Sequence, residues 1–412
     1  MNLLIDLAEK KHNNTNMLNK RIYLDHAATT KLDENVLSEM MPFMKNKFGN
    51  ASSMHYFGQK TASAVDWARE IVAKHLDCDT DEVIFTSGAT ESNNIALIGC
   101  VDYFWMHNKE KPHIIISNIE HPAVLETALS LEKQGRCELS FLKVNSEGVV
   151  FEKELNDYIR ENTILVSVML VNNEIGTIQP IAEIGKLIKK INENRKNKIF
   201  FHTDAVQAMN YLKCKVNSLN VDLLSFSGHK IYGPKGVGVL YKRKSAKIMP
   251  HTFGGHQEFK FRPGTLNTPG IVGLAKAVEL LQKDQKKESD KLEFLRTKLE
   301  TMVLEEIPNS RLNGHKLKRI PSCVNFSFPG TEGESVLMML DMEGIAVSTG
   351  SACASGALEP SHVLTALGLP PEISHASVRV SLGRENTEKD IKTFVRILKP
   401  IIARLREMAP HK

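Results

Sequence analysis

Lysine, aspartate, histidine and threonine stand in this sequence at the ends of short apolar runs, beside glycines, where side chains with reactive groups would be held but not buried. In SFSGHKIYGPKG, Lys230 follows such a run, and Gly228, Gly233 and Gly236 let the backbone turn tightly around it. Lysines in turns of this kind are ordinarily just solvated. One held in a partly desolvated pocket forms a Schiff base with an aldehyde cofactor, and Ser227 and His229 beside it suit a phosphate. In HTDAVQ, Asp204 closes another apolar run. The plain reading is a helix N-cap. The chemical one is a partner for a pyridinium nitrogen, which an electron-sink cofactor needs kept protonated, with Gln207 within reach of a ring hydroxyl.

TSGATES ends a third run with a glycine turn, and Ala89 and Thr90 stand where a helix should start. Free N–H groups at a helix start cradle phosphate, although such turns also occur as ordinary Ser/Thr caps. His121, in IEHPAVL, lies between a run and a helix start. A lone histidine there is more often structural, but a helix N-terminus keeps the ring neutral and able to take a proton. Each signal is weak alone. In chain order they make a phosphate cradle, a stacking imidazole, a carboxylate and a Schiff-base lysine, the constellation of a pyridoxal phosphate site.

A different kind of signal is TGSACASG, where Cys353 sits among residues with almost no side chain. Core cysteines prefer apolar surroundings, and disulfide or metal cysteines have partners nearby. The glycines and small residues predict a mobile tether over about residues 350–360.

The elements that must position these groups follow from the pattern of apolar runs. EVIFTS, HIIISNIE, TILVSVML, KIFFHTDAVQ and VDLLSFSGHK alternate with amphipathic stretches such as HPAVLETALSLEKQG and PIAEIGKLIKKINEN. Nearly continuous apolar strands separated by helices predict a mostly parallel sheet covered on both faces. In such α/β architecture, ligands sit at the carboxyl ends of the strands. The charged stretch KDQKKESDKLEFLRTKLE reads as a long solvated helix bridging to a smaller α+β unit. The expected division is a large cofactor-binding domain over 34–285 and a small domain made of 1–33 and 286–412, with the first 20 or so residues flexible.

Composition narrows the alternatives. The 412 residues suit roughly two or three domains. A formal charge of +5 without a concentrated basic stretch argues against nucleic acid. No apolar run reaches the ~20 residues of a membrane span, and the N-terminal residues lack the marks of a secretion signal or a transit peptide. A cytoplasmic protein is expected. The six cysteines, 78, 100, 137, 214, 323 and 353, form no C-x-x-C pair, so neither a disulfide framework nor a zinc site is expected. GPKGVG lacks the closing Lys-Ser/Thr of a triphosphate loop.

YLDHAATT, TSGATESNN, VNNEIG, FHTDAVQ, SFSGHKIYGPKG, RPGTLN, TGSACASGALEPSHVL and SVRVSLGR together resemble the pyridoxal-phosphate-dependent cysteine desulfurases of the NifS/IscS type, in the class-V aminotransferase family. The likeness runs from about residue 21 to 408. It implies the aspartate-aminotransferase-like fold (fold type I), with a seven-stranded sheet in the large domain, and a homodimer with active sites near the subunit interface. It implies pyridoxal 5'-phosphate and L-cysteine as cofactor and substrate, alanine as product, and sulfur passed to Cys353 as a persulfide. From there sulfur would go to an acceptor protein, such as an iron–sulfur scaffold. By the same resemblance Lys230 holds the cofactor and moves the substrate Cα proton, and His121 stacks on the ring and assists. Asp204 and Gln207 would contact the ring nitrogen and hydroxyl. Ala89, Thr90, Ser227 and His229 would contact the phosphate, with Thr265 reaching the phosphate of the other subunit. Asn173 and Arg379 would grip the substrate carboxylate, for which a guanidinium is bidentate. No resident metal is implied; Cys353 is the one side chain offered as a transient iron–sulfur ligand.

Three departures from the family pattern stand out. The chain stops at REMAPHK, where IscS-type members extend further, so scaffold docking carries over less firmly than sulfur transfer and another acceptor stays open. Pro263 replaces a common serine, with little effect expected. The N-terminal extension has no assigned counterpart. The rival readings are a selenocysteine lyase or an aminotransferase, the latter having no use for Cys353, and a silent partner protein, which would have lost Lys230 or Cys353. The other five cysteines read as structural.

Overall fold

The computed structural model describes residues 21–349 and 360–409. The expectations of a flexible N-terminal stretch and of a mobile tether bearing Cys353 fall outside the described residues. The strands in chain order are β1 (Ile22–Tyr23), β2 (Val83–Thr86), β3 (His113–Ser117), β4 (Glu138–Leu142), β5 (Thr163–Ser167) and β6 (Phe200–Asp204). They continue with β7 (Leu223–Ser227), β8 (Gly238–Lys242), β9 (Arg311–Asn313), β10 (Cys323–Ser327), β11 (Ile345–Ala346) and β12 (Ser377–Ser381). The helices used below are α1 (Glu34–Lys45), α2 (Tyr56–Leu76), α3 (Ala89–Asn108), α4 (Pro122–Lys133), α5 (Ile181–Asn192), α6 (Thr268–Glu306), α7 (Gly333–Met342) and α8 (Glu388–Met408).

Seven strands make one sheet in the order β2-β8-β7-β6-β5-β3-β4. All pairs are parallel except those of β8, which runs antiparallel between β2 and β7. Successive side chains of a strand point to opposite faces, and both faces here are apolar. Ile115, Val166, Phe201 and Leu224 enter one buried cluster, whereas Ile114, Ile116, Leu165 and Leu223 enter another. That double burial is why the runs read as continuous rather than alternating. The mostly parallel α/β sheet is the one expected from the apolar runs. The antiparallel β8 and the edge strand β4 were not among those runs: β8 follows the glycine turn directly, and β4 is half exposed.

The 39-residue α6 runs through the expected boundary at 285/286. Its first half supplies Ile271, Leu274 and Val278 to the large core, and its second half supplies Leu292, Leu295 and Leu299 to a separate one. The second core also takes β10, β12 and one face of α8, with Phe326, Val380 and Phe394. The antiparallel sheet there has the order β12-β10-β9, and β1 pairs in parallel with β11, which ties the N-terminal strand to this smaller unit. One helix thus runs through both cores. The cleft between them is where the strand ends of the large sheet meet β12. Among the described residues no helix is long and apolar enough to cross a membrane.

Candidate active site

At the carboxyl ends of β2, β3, β6 and β7 lies a cavity of about 630 Å³, closed on one side by the N-terminal segment 25–29 and on another by β12. Lys230, His121, Asp204, Thr90, Asn173 and Arg379 all line it. A larger cavity of about 820 Å³ lies on the small unit between β1 and α8 and holds none of these residues.

The sheet explains this convergence. In a parallel sheet every strand delivers its C-terminal residue to the same edge, so residues far apart in sequence arrive together. Lys230 comes three residues after β7, in a tight 3₁₀ turn over Gly228–Lys230. Its Nζ donates to the carbonyls of Ala27 and, at 2.7 Å, Ala28. The turn is fastened from the N-terminal side as well: Thr30 donates through both N–H and Oγ1 to the His229 carbonyl, and Tyr232 N–H donates to Thr30 Oγ1 at 2.8 Å.

The end of the cavity that would take a phosphate is built by the turn Ser87–Gly88 and the start of α3. Gly88 caps α3 without a side chain, so the first N–H groups of a 20-residue helix face the cavity rim without a capping oxygen. The Ser87 amide is taken by the Glu91 carboxylate, whose charge is met by Arg262 at 3.3 Å. Across the cavity, the buried Ser227 Oγ has no hydrogen-bond partner among the described residues. An orphaned hydroxyl facing a helix start suits a phosphate, which would accept from both. Gly238 keeps the cradle in place: a Cβ there would fall 2.7 Å from the Gly88 backbone. His229 donates or accepts at Thr29 Oγ1, 3.2 Å away, and burial together with Lys230 and Lys235 holds its pKa down at about 4.

At the opposite end His121 is the N-cap of α4, with Nδ1 accepting from the Ala123 amide at 3.1 Å. The neutral tautomer therefore carries its proton on Nε2. Burial lowers its pKa against the opposing pull of Asp204. Asp204 is buried at the end of β6, and its two oxygens accept from Asn93 Nδ2 at 2.8 Å and Val206 N–H at 3.0 Å. Those bonds hold it as an oriented acceptor on the cavity wall. Gln207 also lines the cavity, in a turn rather than a helix, and its Nε2 is engaged by the Ala27 carbonyl at 3.0 Å.

Arg379 enters from β12. Its Nη1 donates to the Asn173 carbonyl at 3.0 Å and its Nη2 to Asp25 Oδ1 at 2.9 Å, while the buried Nε has no partner among the described residues. Asn173 is thus joined to Arg379 through its main chain. Ala89 lines the cavity as expected. Thr265 does not: it is exposed and absent from the lining. Cys353 lies outside the described residues. The other five cysteines are free thiols, none lines this cavity, and burial pushes all of them up, Cys323 to about 11 and Cys214 to about 12.

Reading the motifs one at a time missed the N-terminal wall. Asp25, Ala27 and Ala28 bind Arg379, Gln207 and Lys230, and Asn93 braces Asp204. The signal was YLDHAATT, a polar run of small residues with no apolar reason to exist. Nothing local to it names its partners, which lie roughly 180 to 350 residues away.

Residues 22–394 match the family model described as aminotransferase class-V. A cysteine desulfurase IscS of Clostridium botulinum (strain Hall) is 49% identical over 395 residues, covering 95% of this chain and 97% of its own. A cysteine desulfurase IscS of Methanosarcina thermophila is 48% identical over 397 residues, 96% of each chain. Among solved structures, a NifS-like protein superposes with a TM-score of 0.86 at 37% identity, over 93% of this chain and 99% of that one. A protein described as SspA in complex with cysteine gives 0.77 at 36% identity, over 88% and 98%.

Proposed function

The chain belongs to the class-V aminotransferase family and is a cysteine desulfurase of the pyridoxal-phosphate-dependent kind, and from that premise we propose which of its residues carry the reaction. The observation that supports the assignment is the convergence of Lys230, His121, Asp204 and Arg379 on one cavity. The orphaned Ser227 hydroxyl and the open start of α3 fit the phosphate, and Asp204 fits the ring nitrogen. Pyridoxal 5'-phosphate, when bound, supplies an electron sink conjugated to the substrate Cα.

Lys230 is the amine that holds the cofactor and afterwards moves the proton at the substrate Cα. The Ala27 and Ala28 carbonyls orient its Nζ. Neutral His121, with its proton on Nε2, would lie beside the bound ring and donate a proton as the reaction advances. Ala89, Thr90, Ser227 and His229 would hold the phosphate, and Gln207 the ring hydroxyl. Arg379, with Asn173, binds the carboxylate of L-cysteine; a relative solved with cysteine supports that substrate. The Cys353 thiolate attacks the substrate sulfur. The new S–S bond forms as the Cβ–S bond breaks, and the carbon skeleton takes up a proton and leaves as alanine. The thiol proton is conserved in the persulfide, so cysteine and a thiol become alanine and a persulfide with no outside oxidant.

Thr265, exposed and absent from the lining of this cavity, would reach the phosphate of a second copy in a homodimer. The persulfide would then go to an acceptor protein serving iron–sulfur cluster assembly or the making of another sulfur-containing biomolecule, in the cytoplasm. The division into domains 34–285 and 1–33 with 286–412 belongs to the same proposal. Alanine release from L-cysteine, measured together with cyanide-releasable sulfur on the enzyme, tests it: equal yields are expected, and alanine without enzyme-bound sulfur would overturn the role of Cys353.

A further inference from the structure

Two hydrogen bonds join the chain just beyond Cys353 to the two segments that carry His121 and Asn173. Ser361 Oγ donates to Glu174 Oε2 at 2.6 Å, and Glu174 directly follows Asn173. His362 Nε2 donates to the main-chain carbonyl of Glu120 at 2.9 Å, and Glu120 directly precedes His121. Beneath both contacts, a separate apolar cluster packs the short helix His362–Ala366 on the same segments, with Val363 and Leu364 against Ile119, Met169 and Ile175.

These bonds exceed what the short helix needs. Ser361 Oγ already accepts from Leu364 N–H at 3.3 Å, which caps the helix. The second bond goes to a carboxyl that is 4% exposed, and burying a carboxyl is unfavourable unless something requires it there. Glu174 sits between the Asn173 carbonyl, which holds Arg379, and Ser361. On the upstream side, Ser348 and Arg379 exchange main-chain hydrogen bonds of 3.2 and 2.7 Å. Both roots of the segment that carries Cys353 are therefore fastened to the residues around the substrate carboxylate site.

Resting on the reading of Cys353 as the sulfur-accepting thiol, we propose that Glu174 is a positioning residue. Through Ser361 it fixes the downstream root of the Cys353 segment at the substrate end of the cavity, and His362 on the Glu120 carbonyl completes the clamp. The thiol is four residues from Thr349 and eight from Ser361, so it stays within about 14 Å of the first and about 28 Å of the second by chain length alone. Losing the Ser361–Glu174 bond lets the downstream root shift on its apolar seat, and a reacting group misplaced by about 1 Å can lose rate about 100-fold. The clamp therefore acts on sulfur abstraction and leaves cysteine binding alone.

The test uses the full-length holoenzyme mixed with L-cysteine in single turnover, with two readouts. Cofactor absorbance reports cysteine binding, and cyanide-releasable sulfur reports persulfide formation. Ser361→Ala should slow persulfide formation about five-fold or more while cysteine binding stays within about two-fold of wild type. Glu174→Gln, which keeps an acceptor oxygen for Ser361, should load sulfur at close to the wild-type rate, whereas Glu174→Ala should match Ser361→Ala. Wild-type loading rates in Ser361→Ala, or equal losses of binding and loading, overturn the clamp alone. A wild-type enzyme that releases no alanine overturns the desulfurase reading and the clamp with it.

Discussion

Ser348 and Arg379 face each other across an isolated antiparallel bridge, with Ser348 N–H donating to the Arg379 carbonyl and Arg379 N–H to the Ser348 carbonyl. The guanidinium that would receive the substrate carboxylate thus shares a backbone pairing with the chain that leads to Cys353. Both residues line the cavity. One backbone pairing therefore joins the proposed carboxylate site to the chain that leads to Cys353.

Arg379→Lys should lower kcat/KM for cysteine about 100-fold, mainly through KM. A lysine cannot offer the fork a carboxylate accepts, and charged hydrogen bonds of this type are worth roughly 1.5–3 kcal/mol. The substitution also leaves Asp25 and the Asn173 carbonyl without their present donor. The cofactor spectrum should persist. Steady-state kinetics with cysteine decides it, and an unchanged KM would remove Arg379 from the carboxylate site.

Lys230→Ala should abolish the cofactor's Schiff-base absorbance and cysteine turnover together. Normal alanine release from this variant would sink the assignment of Lys230.

Cys353→Ser separates two stages. Cofactor absorbance and cysteine binding should remain, and sulfur transfer should stop. The five other cysteines are not substitutes, because burial holds their thiols protonated at neutral pH. Full activity in this variant would mean that a different thiol accepts the sulfur.

Gly238→Ala should weaken cofactor binding without touching any side chain of the site. The added methyl meets the Gly88 backbone at 2.7 Å, and backbone cannot swing away as a flexible side chain would. Overpacking of this kind costs typically about 1–3 kcal/mol, spent here on displacing the phosphate turn. Cofactor titration of the apoenzyme reads the change in affinity.

Stability should peak near pH 6.5. His26, His75 and His113 have their pKa lowered by burial to about 4, so the unfolded chain binds more protons between pH 4 and 6.5 and stability rises over that window. Glu120 and Glu174 are raised by burial to about 8 and about 7, so the folded chain binds more protons above pH 4.5 and their effect has the opposite sign. Below pH 6.5 the more numerous histidines prevail; above it only the carboxyls still titrate, and stability declines toward pH 8. Thermal melts across pH 4–9 would display the curve, and Glu120→Gln should flatten its alkaline side. A curve that keeps rising to pH 9 would contradict the buried-carboxyl account.

The sequence alone was enough to single out the candidate groups that need only local context, and the structure brings them to one cavity. A strand that ends in a glycine turn announces itself by composition, so Lys230, Asp204, Thr90 and His121 could be found one motif at a time, and their placement at one edge followed from the parallel sheet. The doubly apolar strands likewise declared the α/β class, because a strand buried on both faces has no polar alternation. What the tertiary structure decided was pairing between distant segments. Asp25 meets Arg379 across 354 positions, Ala27 receives both Lys230 and Gln207, and Glu174 meets Ser361 across 187. No periodicity encodes such partners, since each contact joins segments far apart in the chain. The same holds for β8: its apolar residues allow either direction of pairing, and only the tight glycine turn after β7, closing back on the sheet, makes it antiparallel.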